Sequence, residues 1–383
     1  MSVRRLTALT RPFRVLALES SADDSCAAIV SSDRKVWSNV VVKQHLIHEK
    51  FGGIHPIKSQ DAHARNIPLA IRTALREAKL GPEEIDAYAF TQGKQAHALT
   101  PLLTEPTPPE FPFLNLLVSG GHTLLVLATG ETKFKILAKS LDDSIGENRD
   151  AFDKTVKLLD IPWLPGLGPG ASLEHLASPT TSTDPQISTA TENLLQQMPR
   201  FKPAVRGQFA FSFAGMKTQV MKETAKHWPN LKMKGMPEYV KRAVARRFQE
   251  AAVAQVEEKV KMGLEYLEKG EGKALVGGQR VKAVVASGGV ASNQYLRMRL
   301  GEMLHERNPE DPIRLVFPPV ALCTDNAAMI AWAGIFKLQR QGGVSDPFGP
   351  LLRPKWSLEA LEERDKREME EDVPPAEVCV VSV

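Results

Sequence analysis

Cysteine is scarce: the 383 residues hold three, Cys26, Cys323 and Cys379. They are odd in number and far apart, which excludes a disulfide framework and a cysteine-built zinc site and points to a reducing compartment. No apolar run approaches the roughly 20 residues of a membrane-spanning helix. Acid is missing at the start, where Arg4, Arg5, Arg11 and Arg14 precede the first carboxylate, Glu19. An Arg-, Ser- and Thr-bearing start is the make-up of a mitochondrial transit peptide, assigned here to residues 1–13; the other reading is a basic N-terminus without an address. Familiar nucleotide loops are missing too. Gly166-Leu-Gly-Pro-Gly-Ala171 follows Pro-Trp-Leu-Pro instead of a strand and contains Pro169, so it is not a dinucleotide turn. Gly215-Met-Lys-Thr218 lacks the earlier glycine of a P-loop. No Ser-His-Asp arrangement has a local signature.

What is present is an ordinary globular composition, with 43% hydrophobic and 25% charged residues, long enough for two or three domains. The net charge of +4 is uneven: residues 357–383 hold nine acids and three bases, which leaves the rest of the chain at +10. A body that basic suits a polyanion such as RNA, or is a solvated surface of mixed charge. Lys241, Arg242, Arg246 and Arg247 form a basic helix face that suits tRNA phosphates or solvent alike. His45, His48, His55 and His63 make a histidine-rich stretch without matching carboxylate or cysteine spacing, which favours a surface or substrate-side role over a metal pair.

Apolar runs at Val15–Leu18 and Cys26–Val30 flank the polar turn Glu19–Ser25 and read as a hairpin, with a third strand over Lys35–Lys43. Helical spacing covers Gln60–Lys79, and Ile85–Phe90 reads as a buried strand. The plan then recurs: strand Phe113–Val118, turn Ser119–Thr123, strand Leu124–Ala128. A long helix is expected over Glu238–Glu268, a strand over Ala283–Ala286, and helices over Gln294–Arg307 and Asp325–Arg340. Residues 178–200, rich in Ser, Thr, Pro and Gln, read as a surface insertion; residues 346–383 read as a tail, charged and partly helical or disordered from 357 on. The expected division is a first lobe from 14–112 plus 323–345 and a second from 113–322.

Three turns could hold phosphate: Glu19–Ser25 with its hydroxyls and carboxylates, Ser119-Gly-Gly-His-Thr123, and Ser287-Gly-Gly-Val-Ala-Ser-Asn293 ahead of a helix. Glycine lets the backbone approach an anion, a helix N-terminus adds N–H donors, and carboxylates hold a metal or its waters. Singly, a Ser-Gly-Gly turn is more often a tight hairpin. A hairpin-led duplication with two such turns is the α/β plan of the two-lobed actin, sugar-kinase and Hsp70-like ATPase fold.

Seven motifs occur in one order: Leu18-Glu-Ser-Ser-Ala-Asp-Asp-Ser25, Phe51-Gly-Gly-Ile-His-Pro56, Leu117-Val-Ser-Gly-Gly-His-Thr123, Ala151-Phe-Asp-Lys154, Phe211-Ser-Phe-Ala-Gly-Met-Lys-Thr218, Ala286-Ser-Gly-Gly-Val-Ala-Ser-Asn293 and Cys323-Thr-Asp-Asn-Ala-Ala328. Together they resemble the tRNA N6-adenosine threonylcarbamoyltransferase family over residues 14–356, and with the Arg-rich start its mitochondrial branch. The resemblance implies transfer of a threonylcarbamoyl group from threonylcarbamoyl-AMP, supplied by a separate synthase, to N6 of the adenine 3′ of the tRNA anticodon. It implies one divalent metal, iron or zinc, and admits a homodimer with no membrane role. By the resemblance, Leu117, Val118, Ser119, Gly120 and Gly121 contact the adenylate. Asp153 bonds the ribose, Gly170 lies close to the nucleotide and Asn293 meets sugar or base. His97 and Asp325 are metal ligands; Asp325 also reads as an N-cap for the helix that follows.

The chain departs from that family near Gly93. The family has a Gly-rich turn, a helix, a strand and then an H-x-x-x-H metal pair; here Thr91-Gln-Gly93 runs straight into Lys94-Gln-Ala-His97. Gly93 stands where the first histidine is expected. About one helix-and-strand unit is missing, which implies a weakened metal site, exposed apolar surface and a bare sheet edge in the first lobe. Ser20, Ala22 and an inserted Asn148-Arg-Asp150 are smaller departures. The expected activity is an impaired transferase; the alternatives are a non-catalytic nucleotide-binding scaffold of the same fold and, more weakly, a small-molecule kinase.

Overall fold

In a computed structural model, residues 11–21, 24–44, 47, 55–91, 95–119, 121–145, 151–162, 164, 168–227, 235–344 and 380–382 are described. The elements run β1 (Arg14–Glu19), β2 (Ser25–Ser31), β3 (Val36–Val42), α1 (Pro56–Ala78), β4 (Ala87–Phe90), α2 (Gln95–Thr104), β5 (Phe113–Val118), β6 (Thr123–Ala128) and β7 (Phe134–Ser140). They continue with α3 (Ala151–Leu158), α4 (Pro169–Ala177), α5 (Pro185–Gln197), β8 (Ala210–Phe211), α6 (Ala214–His227), α7 (Glu238–Leu267) and α8 (Gly270–Leu275). The last are β9 (Ala283–Ser287), α9 (Gln294–Arg307), β10 (Arg314–Val316), α10 (Val320–Cys323), α11 (Ala327–Arg340) and β11 (Val380–Ser382). Two compact units result: residues 1–111, 128–135 and 316–383, and residues 112–127 and 136–315.

The first unit is built on a five-stranded sheet in the order β11-β4-β1-β2-β3. β1 and β2 pair antiparallel, as do β2 and β3, while β4 lies parallel to β1. Every residue of β2 is buried, because helices cover both faces. On one face Leu16 and Ile29 pack with Ala78, Ile71 and Leu75 of α1. Alternation turns Cys26, Ala28 and Val30 to the other face, where α11 lies. Pro56 starts α1 at a position where its missing N–H costs nothing, and Lys79 closes it in the left-handed region, φ 56°.

Ahead of β1, Arg11 grips Asp86 with two bonds of 2.8 and 2.9 Å, and Phe13 is buried. One expectation for this unit is corrected. The outer edge of β4 is not bare, because the end of the charged tail forms β11 and pairs parallel with it, Val381 opposite Ala89.

The second unit has a six-stranded sheet in the order β10-β9-β5-β6-β7-β8, with β9 parallel to β5. The shared plan is plain: three consecutive strands, then a later strand parallel to the first on its outer side. α7, 30 residues long, backs this sheet. Its Gly263 permits close approach, since a Cβ there would sit 2.8 Å from Leu125.

The insertion at 178–200 is largely exposed and contains a helix. It holds α5, started by Asp184, whose side chain accepts the N–H of Gln186 and Ile187 ahead of Pro185. The basic face of α7 is neither solvated nor free for phosphate, because it holds this insertion. Arg242 is buried and donates to the Leu176 carbonyl at 3.2 Å, the Thr181 hydroxyl at 3.1 Å and Glu238 at 2.8 Å. Arg246 bonds the Ala177 carbonyl and Glu192; Arg247 bonds the carbonyls of Leu195 and Met198. Lys241 bonds the Asp160 carbonyl at 2.7 Å. Carbonyls at helix C-termini lack intrahelical partners and carry partial negative charge, which cations satisfy.

Arg242→Ala is therefore expected to cost about 2–3 kcal/mol, from lost charge-assisted bonds and orphaned acceptors. Urea unfolding checks it, and a cost below about 0.5 kcal/mol, the surface-residue range, would return this residue to the solvent.

Candidate functional site

β5 and β9 end side by side, with Leu117 opposite Ser287. The two Ser-Gly-Gly turns therefore leave neighbouring parallel strands at their carboxyl ends, the usual position for a ligand in such sheets. The first turn is closed by the Ser119 N–H donating to the His122 carbonyl at 2.9 Å. The second passes through Gly288 at φ 98°, where an added Cβ would stand 2.4 Å from the Val118 carbonyl oxygen. No other residue fits there, by conformation and by space. Gly121 is the opposite case, exposed, with nothing within 4 Å of its Cβ position. Leu117 and Val118 are buried, and the Val118 carbonyl faces Gly288. Gly120 lies outside the described residues.

A short 3-10 turn, Gly289–Ser292, links the second turn to α9. Asn293 caps this helix, its Oδ1 accepting from the Leu296 N–H at 2.9 Å. Its Nδ2 makes only a 3.5 Å contact with Gln249 of α7. Asn293 is buried, its oxygen committed to the cap and its Nδ2 held by the longer of these two bonds. Glu174 of α4 accepts from the Gln294 N–H at 2.6 Å and so brings α4, with Gly170 in its first turn, to the start of α9. Burial raises the Glu174 carboxyl above its ordinary pKa, against the lowering effect of the Gln294 and Tyr295 N–H groups. The Ser287 hydroxyl, at the mouth of β9, is buried with no hydrogen-bond partner. Asp153 lies on α3, whose Phe152 packs edge-on against Phe248 of α7; the Asp153 side chain is outside the description, as are Asn148–Asp150.

A second constellation lies within the first unit. Parallel pairing of β1 and β4 brings Glu19 and Thr91 together at the strand ends. Thr91 donates to Glu19, which also accepts the Ser21 N–H at 2.6 Å. His97 of α2 and Asp325 meet at 3.1 Å, Nε2 to Oδ1. Asp325 is not the cap of α11: Asn326 is, its Oδ1 accepting from the Met329 N–H at 3.0 Å, so the aspartate is left for His97. Burial opposes the imidazolium of His97, but the hydrogen bond and charge of Asp325, with the charge of Glu19, outweigh it and hold the pKa above its ordinary value. Glu19 is itself pushed up, first by burial and then by Asp325.

The His97–Asp325 separation matches two adjacent ligands at roughly 2.0–2.2 Å from one ion. Among the described residues, however, no group of three His, Cys, Asp or Glu side chains could hold a metal. Gly93, which offers no ligand, and its neighbours lie outside the description. The residues present fit a two-ligand contact and not the three-ligand centre that the resemblance implies.

The remaining histidine readings change as well. His63 Nδ1 lies 2.8 Å from the Ser25 hydroxyl and 3.1 Å from Gln44 Nε2, a polar knot that ties α1 to β2. Ser25 is fully buried, so this pair is no exposed nucleophile. His45 and His48 lie outside the described residues. The carboxylate of Asp24, which the sequence offered to a metal, accepts the Gln44 N–H at 3.2 Å. Thr91 and Glu174 are the site residues that sequence reasoning did not single out, whereas Glu19 and Ser287 were named there as members of their turns.

A duplicated sheet plan with glycine turns at parallel strand ends defines the actin and sugar-kinase-like class of nucleotide-binding folds. Among solved structures, HypF of T. kodakarensis superposes at a TM-score of 0.50 with 10% identity, over 86% of this chain and 48% of that one. The component A of the Acidaminococcus fermentans (R)-2-hydroxyglutaryl-CoA dehydratase superposes at 0.49 with 14% identity, over 85% and 99%. The family model of TsaD, tRNA N6-adenosine threonylcarbamoyltransferase, matches residues 35–93 and 94–332. A curated protein of that name from Neisseria gonorrhoeae is 32% identical over 385 positions, covering 91% of this chain and 99% of its own. The chain belongs to the tRNA N6-adenosine threonylcarbamoyltransferase family, and tRNA is the substrate that the family implies.

Two outcomes test this geometry. Gly288→Ala is expected to destabilise by about 3–4 kcal/mol, from forced overpacking and a backbone region hostile to a side chain, whereas Gly121→Ala stays within about 0.5 kcal/mol; equal effects would contradict the close approach. In Asp325→Asn the raising influences weaken while burial remains, so the His97 pKa falls, readable by NMR titration. The stability that this pair lends is fully present below the unfolded imidazole pKa of about 6.5 and disappears as pH rises through the elevated folded value.

Proposed function

We propose that the chain transfers, or is built to transfer, a threonylcarbamoyl group from threonylcarbamoyl-AMP to N6 of the adenine 3′ of the anticodon, and that this particular sequence is impaired in doing so. The observation that carries the nucleotide end is the adjacency of the two Ser-Gly-Gly turns on β5 and β9. Leu117–Gly121 contact the adenylate, Asp153 bonds the ribose, Gly170 lies close to the nucleotide, Asn293 meets sugar or base, and the buried Ser287 hydroxyl is a further donor. In the transfer, the N6 amine attacks the carbamoyl carbonyl, its C–N bond forms as the C–O bond to phosphate breaks, AMP leaves, and N6 loses a proton.

The impairment rests on the two-ligand contact at His97 and Asp325. A divalent ion there would polarise the acyl-adenylate as a Lewis acid. Two protein ligands rarely hold such an ion tightly, so no step is assigned to it. The family match divides between Gly93 and Lys94, the position where the sequence lacks a helix-and-strand unit. The alignment with the Neisseria relative is also longer than the stretch of this chain within it. Both support a missing segment. The second reading, a non-catalytic nucleotide-binding scaffold, is favoured by the same ligand shortage. The arginine-rich start, residues 1–13, carries a mitochondrial address; these residues fused to a fluorescent reporter should send it to mitochondria, and a diffuse signal refutes the address.

Purified chain with threonylcarbamoyl-AMP and unmodified tRNA should show transfer at least 100-fold below that of the Neisseria relative, with near-stoichiometric metal absent by elemental analysis. Turnover within a few-fold of the relative would refute the impairment. Calorimetry separates the readings: adenylate binding that is weakened by Asn293→Ala without any transfer supports the scaffold, and absence of adenylate binding refutes both.

A further inference from the structure

β4 is four residues long, and its alanines are buried: Ala87 is 0% and Ala89 1% exposed. One edge pairs with β1; among the described residues the other is filled by β11, in parallel register from Val380 opposite Tyr88 to Ser382 opposite Phe90. Without β11 that edge would present backbone N–H and C=O groups with no ladder partner, which costs free energy where water is excluded and invites a foreign strand.

The filling strand is not imposed by connectivity. Residues 345–379 separate it from the described chain at Val344. At about 3.3–3.6 Å per extended residue a segment of that length reaches on the order of 100 Å, so its length alone does not fix where β11 pairs. The sequence suits the task. After Pro374 and Pro375 and the last acid, Glu377, the chain ends Val378-Cys-Val-Val-Ser-Val383, uncharged and rich in β-branched residues. Free in solution, such a hexapeptide is an aggregation hazard, as is an open sheet edge. Pairing removes both hazards at once.

We propose that the outer edge of β4 is a strand-acceptor site whose ligand is the chain's own C-terminal hexapeptide, and that the site binds this peptide equally well when it is supplied as a separate molecule. Recognition is by main-chain hydrogen bonds in parallel register, the β-augmentation mode.

The test uses a chain ended after Ala376 and a fluorescein-labelled peptide of residues 376–383. The peptide should bind the shortened chain saturably and the full chain at least ten-fold more weakly, because there the site is filled. Equal binding to both, or to neither, overturns the proposal. So does a dimer of the shortened chain that excess peptide leaves intact, since the edge would then belong to a second copy. If the shortened chain does not fold, Val380→Pro and Val381→Pro in the full chain carry the test. Neighbouring N–H groups of a strand point to opposite sides, so only one of the two substitutions removes a bond to β4. That variant should lose at least ten-fold hydrogen-exchange protection at the β4 amides facing β11, and the other should keep it. Unchanged protection in both overturns the acceptor site.

Discussion

In both units a strand from later in the chain lies parallel to the first of three consecutive strands, β4 beside β1 and β9 beside β5. Parallel neighbours end at the same side of a sheet, so whatever follows them in sequence is forced together in space. In one unit this gathers Glu19 and Thr91; in the other it stacks Ser119 against Gly288. The two glycine turns and the Glu19–Thr91 contact are downstream of these two pairings, whereas His97 and Asp325 are brought together by α2 and the start of α11. The glycine at 288 is a consequence as well: two turns leaving neighbouring strands come so close that a single Cβ has no room.

The long helix behind the second sheet shows how charge is spent within the fold. Its basic residues answer the carbonyls that end α3, α4 and α5, at 2.7 to 3.3 Å for the bonds to Leu176, Ala177, Met198 and Asp160. A polyanion in solution has little left to bind on this face. The +10 body charge of the sequence is therefore a poor guide to where RNA would lie, because much of it neutralises helix ends.

Loss of one helix-and-strand unit after β4 would leave two scars, an incomplete metal centre and an unprotected edge. The chemistry of the first has no repair in the described residues, since His97 and Asp325 face each other without a third ligand. The second is repaired by the C-terminal strand. The difference is physical: a ladder needs only backbone, which any extended segment supplies, whereas a metal centre needs particular side chains at particular angles.

Local patterns were legible where a single stretch of chain carries its own signal. Asn293 ahead of an apolar-periodic run marks α9 to the residue, and the glycines of both turns announce their bends. α5 was missed because Ser, Thr and Gln masked it, although Asp184-Pro185 was a readable start. The uncharged valines at the C-terminus were equally readable as a strand, but nothing local says which edge they join. By itself the sequence determined the strands of both hairpins, the long helix, the duplicated plan and the glycines that the turns require, because these follow from backbone conformation and periodicity, and its ordered motifs gave the family. Only the tertiary structure decided that Asn326 and not Asp325 caps its helix, that the arginines of α7 hold an insertion, and that β11 closes β4. Those outcomes depend on which distant groups compete for the same donor, acceptor or edge, and that competition is settled in space.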